Sequence, residues 1–118
     1  MSPSNKPLRS AKQRSVRRCA LVASVEVTEL RTGALLSARI SELGVGGCYV
    51  DALNPFPEGA LVGLRILRDQ GVFQTKAKVV YCDSRFGMGL AFIELTPDQR
   101  SILENWLAEI VTQLSQVS

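Results

Sequence analysis

The spacing of apolar positions divides the chain into a polar leader, six short stretches of period two and one stretch of period 3.6. Leu21, Ala23, Val25 and Val27 alternate with Val22, Ser24, Glu26 and Thr28, as in a strand with one buried face. Arg31-Thr-Gly33 signals a turn, and Leu36 to Ile40 alternates again. Cys48-Tyr-Val50 reads as a short strand, and Asn54 to Gly59 as a loop, because its two prolines cannot donate to a ladder. Val62, Leu64 and Ile66 mark one face of a strand within Ala60 to Leu67, with Arg65 on the other. The cleanest alternation sets Phe73, Thr75, Ala77, Val79 and Tyr81 against Gln74, Lys76 and Lys78. After a turn over Asp83 to Gly87, Met88 to Ile93 completes the set.

The last stretch predicts a helix over 97–114. Thr96 suits the N-cap, Pro97 the first helical position, and Gln99 completes the spacing of a capping box. Ile102, Leu103, Trp106, Leu107, Ile110, Val111 and Leu114 fall on one face, a stripe wide enough to close over a sheet or a barrel mouth. Six short strands and one amphipathic helix predict a small antiparallel barrel capped by that helix, since closure removes the edges such strands would expose.

Charge separates the leader from the rest. Residues 1–18 carry Lys6, Arg9, Lys12, Arg14, Arg17 and Arg18 and no acid. The remainder holds eight basic and eleven acidic residues, so the net charge of +3 conceals a basic tail on a mildly negative body. Residues 1–13 have too little apolar surface to compensate the entropy of ordering, and are expected to be disordered without a ligand. A negative body speaks against a broad nucleic-acid-binding face, and seven aromatics scattered over the chain do not make a base-stacking sheet. The alternative of an RNA- or DNA-binding arm therefore rests on the tail alone. No apolar run is long enough to cross a bilayer and no signal-peptide pattern opens the chain, so a cytoplasmic protein without membrane insertion is expected.

With no histidine, the chain lacks an imidazole base, a Ser-His or Cys-His nucleophile pair and a Cys/His zinc site. Cys19, Cys48 and Cys82 are widely spaced and are read as buried reduced thiols. Phosphate-binding loop signatures are missing, and Gly44 to Gly47 precedes a strand rather than a helix. These patterns predict a non-enzyme with no cofactor and no metal.

Two motifs remain. Arg14-Ser-Val-Arg17-Arg18 ends the leader just before the first strand, and Glu42-Leu-Gly-Val-Gly-Gly47 joins two strands. Each alone is weak: a basic run is usually a solvated face, and crowded glycines usually mark a tight corner. Together they resemble the PilZ family of bacterial cyclic-di-GMP (c-di-GMP) receptors. That family carries Arg-x-x-x-Arg before a six-stranded barrel and Asp/Asn-x-Ser-x-x-Gly after its first two strands. Arg14 and Arg18 match the first motif, and Lys78-Val-Val-Tyr81 and Met88-Gly-Leu-Ala-Phe92 look like the family's last two strands. The resemblance covers about residues 14–112.

It implies a mainly β, six-stranded antiparallel PilZ-type barrel over 19–95, with a C-terminal amphipathic helix, in one domain over 14–114. It also implies a bacterial, c-di-GMP-binding signalling adaptor whose ligand is held by Arg14, Arg18, Glu42, Gly44 and Gly47, with Arg17 a further candidate, and a protein partner that reads the bound state. Two positions depart from the family: Glu42 stands in place of Asp or Asn, and Gly44 in place of Ser. The alternative they raise is a degenerate barrel that has lost the ligand and works only through protein contacts.

Overall fold

The computed structural model describes residues 18–68 and 71–117, with side chains for residues 23–68 and 71–110. The expected disordered tail, Arg14 and Arg17 lie outside the described residues. Six strands follow one another: β1 (Arg18–Glu29), β2 (Leu35–Gly44), β3 (Gly47–Asp51), β4 (Leu61–Arg68), β5 (Gly71–Asp83) and β6 (Gly87–Ile93). The helix α1 (Pro97–Val117) ends the chain. The strands close into a barrel in the order β1-β2-β3-β6-β5-β4, every neighbouring pair antiparallel.

The apolar phase of each stretch becomes the barrel interior. Val25 and Val27 from β1, Val62, Leu64 and Ile66 from β4, and Phe73, Ala77 and Val79 from β5 are all buried there. Ile40, Leu43, Cys48, Val50, Met88 and Leu90 fill the remaining wall. Each such aliphatic side chain contributes about 1.5–3 kcal/mol by leaving water, so the interior row is what fixes register.

Helix α1 closes one end of the barrel. Leu103, Trp106 and Ile110 are buried, as the stripe predicted. Trp106 packs near Phe73, with ring centroids 6.3 Å apart, and lies 3.2 Å from where a side chain on Gly71 would begin. Arg68 at the end of β4 sits over the Trp106 ring at 5.8 Å and pairs with Glu109 at 2.8 Å. The N-cap forms as expected, the Gln99 amide donating to Thr96 Oγ1 at 3.2 Å. The capping box does not close: Gln99 Oε1 instead accepts from the Gln74 amide of β5 at 2.7 Å. A helix lying against a strand offers its first turn a second donor, and the long glutamine side chain is used to tie the two together.

Three further features differ from the sequence-based expectations. Strand β2 continues through Gly44, so the glycine-rich turn narrows to Val45 and Gly46. Ladder pairing carries Leu43 against Cys48, and the Phe92 amide donates to the Gly46 carbonyl at 2.9 Å, leaving little backbone for a wider loop. Cys48 is buried but Cys82 is exposed, near the end of β5. Tyr81 does not share the core face of Phe73 and Val79: the β5–β6 register slips between Val79 and Tyr81, and this bulge turns the ring to the outside.

Candidate ligand-binding site

The site is built from register. Arg18, the first residue of β1, pairs with Gly44, the last residue of β2. Two positions further along, Ala20 pairs with Glu42, Glu42 pairs with Tyr49 of β3, Tyr49 with Gly89 of β6, and Gly89 with Tyr81 of β5. One transverse row of the barrel thus runs Ala20, Glu42, Tyr49, Gly89, Tyr81. Neighbouring strands lie ~4.8 Å apart, so Glu42 and Tyr81 stand roughly 14 Å from one another across the sheet.

Bulges set which side of the wall this row faces. Ile40 pairs with Val50 and both are buried, whereas Glu42 pairs with Tyr49; the single residue Ser41 is extra on β2. Strict alternation from Ile40 would aim Glu42 inward, and the extra residue turns it to solvent, where it is exposed. A similar slip in β5 turns Tyr81 outward. Ser41 Oγ donates to Asp51 Oδ1 at 3.2 Å, holding the bulge against β3.

The glycines of the corner differ from one another. A side chain on Gly47 would begin 2.0 Å from the Leu90 carbonyl oxygen, a backbone atom of β6. Glycine at this position is therefore demanded by the barrel itself. At Gly46 the same direction is open, with nothing within 4 Å. Gly44 is buried and lies across from Arg18.

Beyond the corner lies an aromatic pair that the sequence pattern did not single out. Tyr49 and Tyr81 have ring centroids 6.1 Å apart at 31°. Each ring lies over a glycine of β6: a side chain on Gly89 would meet Tyr81 ring carbons at 2.3–2.4 Å, and one on Gly87 would meet the Tyr49 ring at 2.7 Å. The Tyr49 hydroxyl donates to Asp83 Oδ2 at 2.9 Å. Burial, then the neighbouring Asp83 carboxylate, pushes the Tyr49 hydroxyl well above the ordinary tyrosine range, so it stays a neutral donor. Tyr49 also borders an outer groove shared with Arg39, Asp51, Arg85 and Phe86.

Of the residues singled out from sequence, Arg18, Glu42, Gly44 and Gly47 thus come together at one end of the barrel, with Glu42 outward and the two glycines in the wall. Helix α1 closes that same end, over the β4–β5 hairpin. Among the described residues no group of His, Cys, Asp and Glu could hold a metal ion, and no described helix is long and apolar enough to cross a membrane.

A family model described as PilZ domain matches residues 11–109. The chain belongs to the PilZ domain family. Solved PilZ structures share its fold: the PilZ domain of YcgR from Escherichia coli, determined with c-di-GMP, has a TM-score of 0.74 at 16% identity, covering 88% of this chain and 95% of that one. YcgR in complex with c-di-GMP, also from Escherichia coli, gives 0.76 at 16% identity over 88% of this chain and 48% of that one. MrkH from K. pneumonia in its apo state gives 0.72 at 15% identity over 87% of this chain and 52% of that one. This PilZ domain therefore spans nearly all of the excised YcgR domain but about half of the longer chains. At such identities the likeness establishes the barrel and its helix, not the equivalence of single residues. Among curated proteins no sequence relative matches the chain.

Proposed function

We propose that this PilZ domain is a c-di-GMP receptor that fastens its N-terminal arginines over the β2–β3 corner when the dinucleotide binds. Family membership and the c-di-GMP complexes among its structural neighbours support the ligand. The observation that carries the mechanism is the pairing of Arg18 with Gly44, which starts β1 beside the corner rather than across the barrel from it. Arg14 is four residues upstream, a length of chain that spans at most ~14 Å. Arg14, Arg18 and Arg17 are the guanidinium groups assigned to guanine edges and phosphates, a planar fork suited to both. Glu42 offers an acceptor at the outer face, and Gly44 and Gly47 keep the wall beneath the ligand low. Ordering the arm converts the presence of the ligand into a new surface, which a protein partner reads.

The departures from the family motif set the expected strength. A missing serine hydroxyl at Gly44 removes about 0.5–1.5 kcal/mol, up to ~tenfold in affinity. Each bidentate arginine contact is worth about 1–3 kcal/mol of discrimination, so two arginines outweigh the loss. Isothermal titration with c-di-GMP tests the reading: binding is expected, and Arg14→Ala and Arg18→Ala each weaken it strongly. No heat at high micromolar ligand and low salt refutes it.

A second reading, a barrel that works only through protein contacts, is favoured by one observation. Gly47 is required by the Leu90 carbonyl whether or not a ligand binds, so its presence does not speak for a site. The double substitution Glu42→Asp, Gly44→Ser separates the two readings. Binding that appears only in that variant assigns the chain to the second.

A further inference from the structure

We propose that Tyr49 and Tyr81 form a stacking shelf for one base of the bound cyclic dinucleotide; the proposal rests on the c-di-GMP reading above and assigns two residues to it that neither arginine nor glycine motif contains. The shelf's location comes from register. Tyr49 pairs directly with Glu42, and Gly89 alone separates it from Tyr81 in the same row. That row lies two residues along β2 from the Gly44–Arg18 pair.

Its construction is specific. Gly87 and Gly89 let both rings settle onto the β6 backbone, at distances that any side chain there would forbid. With centroids 6.1 Å apart and planes inclined by 31°, the rings lie next to one another over the two β6 glycines. Both tyrosines remain half-buried, so part of each stays at the surface. The hydrogen bond from Tyr49 to Asp83 fixes one ring in advance, so little rotamer freedom is lost when a base arrives. Aromatic faces accept any base by stacking, while the guanidinium forks of the arm supply the recognition of guanine edges.

A purely structural role for the same pair is to cover strand glycines, which stabilises a sheet but does not respond to ligand. The two roles are separable because the chain has only two tyrosines. Tyrosine-labelled protein gives two sets of ring resonances, assigned with Tyr49→Phe. On titration of the wild-type chain with c-di-GMP, the Tyr81 ring signals are expected to move upfield with the binding isotherm. Tyr81→Leu should weaken binding by about 5- to 150-fold, whereas Tyr81→Phe stays within about threefold of wild type. Wild-type binding with ring signals that stay in place overturns the shelf and leaves the receptor reading intact, as does Tyr81→Leu binding like wild type. A wild-type chain that does not bind c-di-GMP overturns both. Should Tyr81→Leu fail to fold, the ring shifts of the unmodified chain decide.

Discussion

Replacing Gly47 by alanine tests whether the corner glycine belongs to the barrel or to the ligand. The new methyl carbon would begin 2.0 Å from the Leu90 carbonyl oxygen and 3.1 Å from its carbon. Ordinary close contacts between carbon and a carbonyl oxygen across a sheet are about 3.3–3.6 Å, so β3 and β6 must part by more than ~1 Å. Neither atom can rotate away, because both belong to backbone. Overpacking of this kind costs about 1–3 kcal/mol, and each ladder bond disturbed adds about 0.5–1.5 kcal/mol. The bond from Phe92 to Gly46 is the first at risk. A total near 2–4 kcal/mol is expected, a large share of the ~5–15 kcal/mol that holds a typical domain together. Gly46→Ala is the control: the space is open and the backbone lies outside the left-handed region, so the change should stay within about 0.5 kcal/mol. Urea denaturation followed through the fluorescence of Trp106, the single buried tryptophan, reads both variants. The midpoint should fall for Gly47→Ala and hold for Gly46→Ala, with slopes unchanged. Equal midpoints would refute the claim that the Leu90 carbonyl dictates glycine at this position.

Two further outcomes follow from single contacts. Because the folded Tyr49 hydroxyl titrates above its ordinary 10.0, its contribution to stability is complete below pH 10 and declines as pH rises beyond it, where the unfolded chain releases the proton first. Denaturation midpoints of wild type should therefore drop more steeply above pH 10 than those of Tyr49→Phe; parallel curves would count against it. Gln99→Ala removes the acceptor of the Gln74 amide, and should lower stability by about 0.5–1.5 kcal/mol in the same urea assay while leaving helix content by circular dichroism unchanged.

Much of the barrel was legible because its interior is a simple period-two pattern. Val62, Leu64 and Ile66 needed only the alternation to be placed inside, and Leu103 and Trp106 only the helical stripe. Strand ends were harder. The three glycines after Glu42 read as a broad turn, yet β2 runs to Gly44 and β3 restarts at Gly47, since two residues suffice for an antiparallel reversal when the flanking ladder is paired. Gln99 was legible as a capping residue only in isolation; its use on Gln74 depends on where the helix docks, twenty-five residues away in sequence.

The candidate site shows where a pattern reading must fail. Alternation assigns Tyr81 to the face of Val79 and would aim Glu42 with Ile40 into the core. One extra residue in β5 and one in β2 reverse both assignments, and nothing in the residues Val80 or Ser41 announces an insertion. Bulges are selected by pairing with a neighbour: the strand that must wrap the barrel takes the extra residue, and its partner does not. The outcome is that Glu42, Tyr49 and Tyr81 share an outer row only after β2, β3, β6 and β5 have all paired. The Arg18–Gly44 contact has the same origin, since the slip between Ala20 and Ala23 on β1 meets the slip at Ser41 on β2. Slippage of either strand by one residue would turn its buried side chains toward solvent and carry Arg18 off the corner. The register that buries the core is therefore also what holds Arg18, the first residue of β1, beside the glycines, so a substitution that shifts a bulge should disturb the corner and the core together.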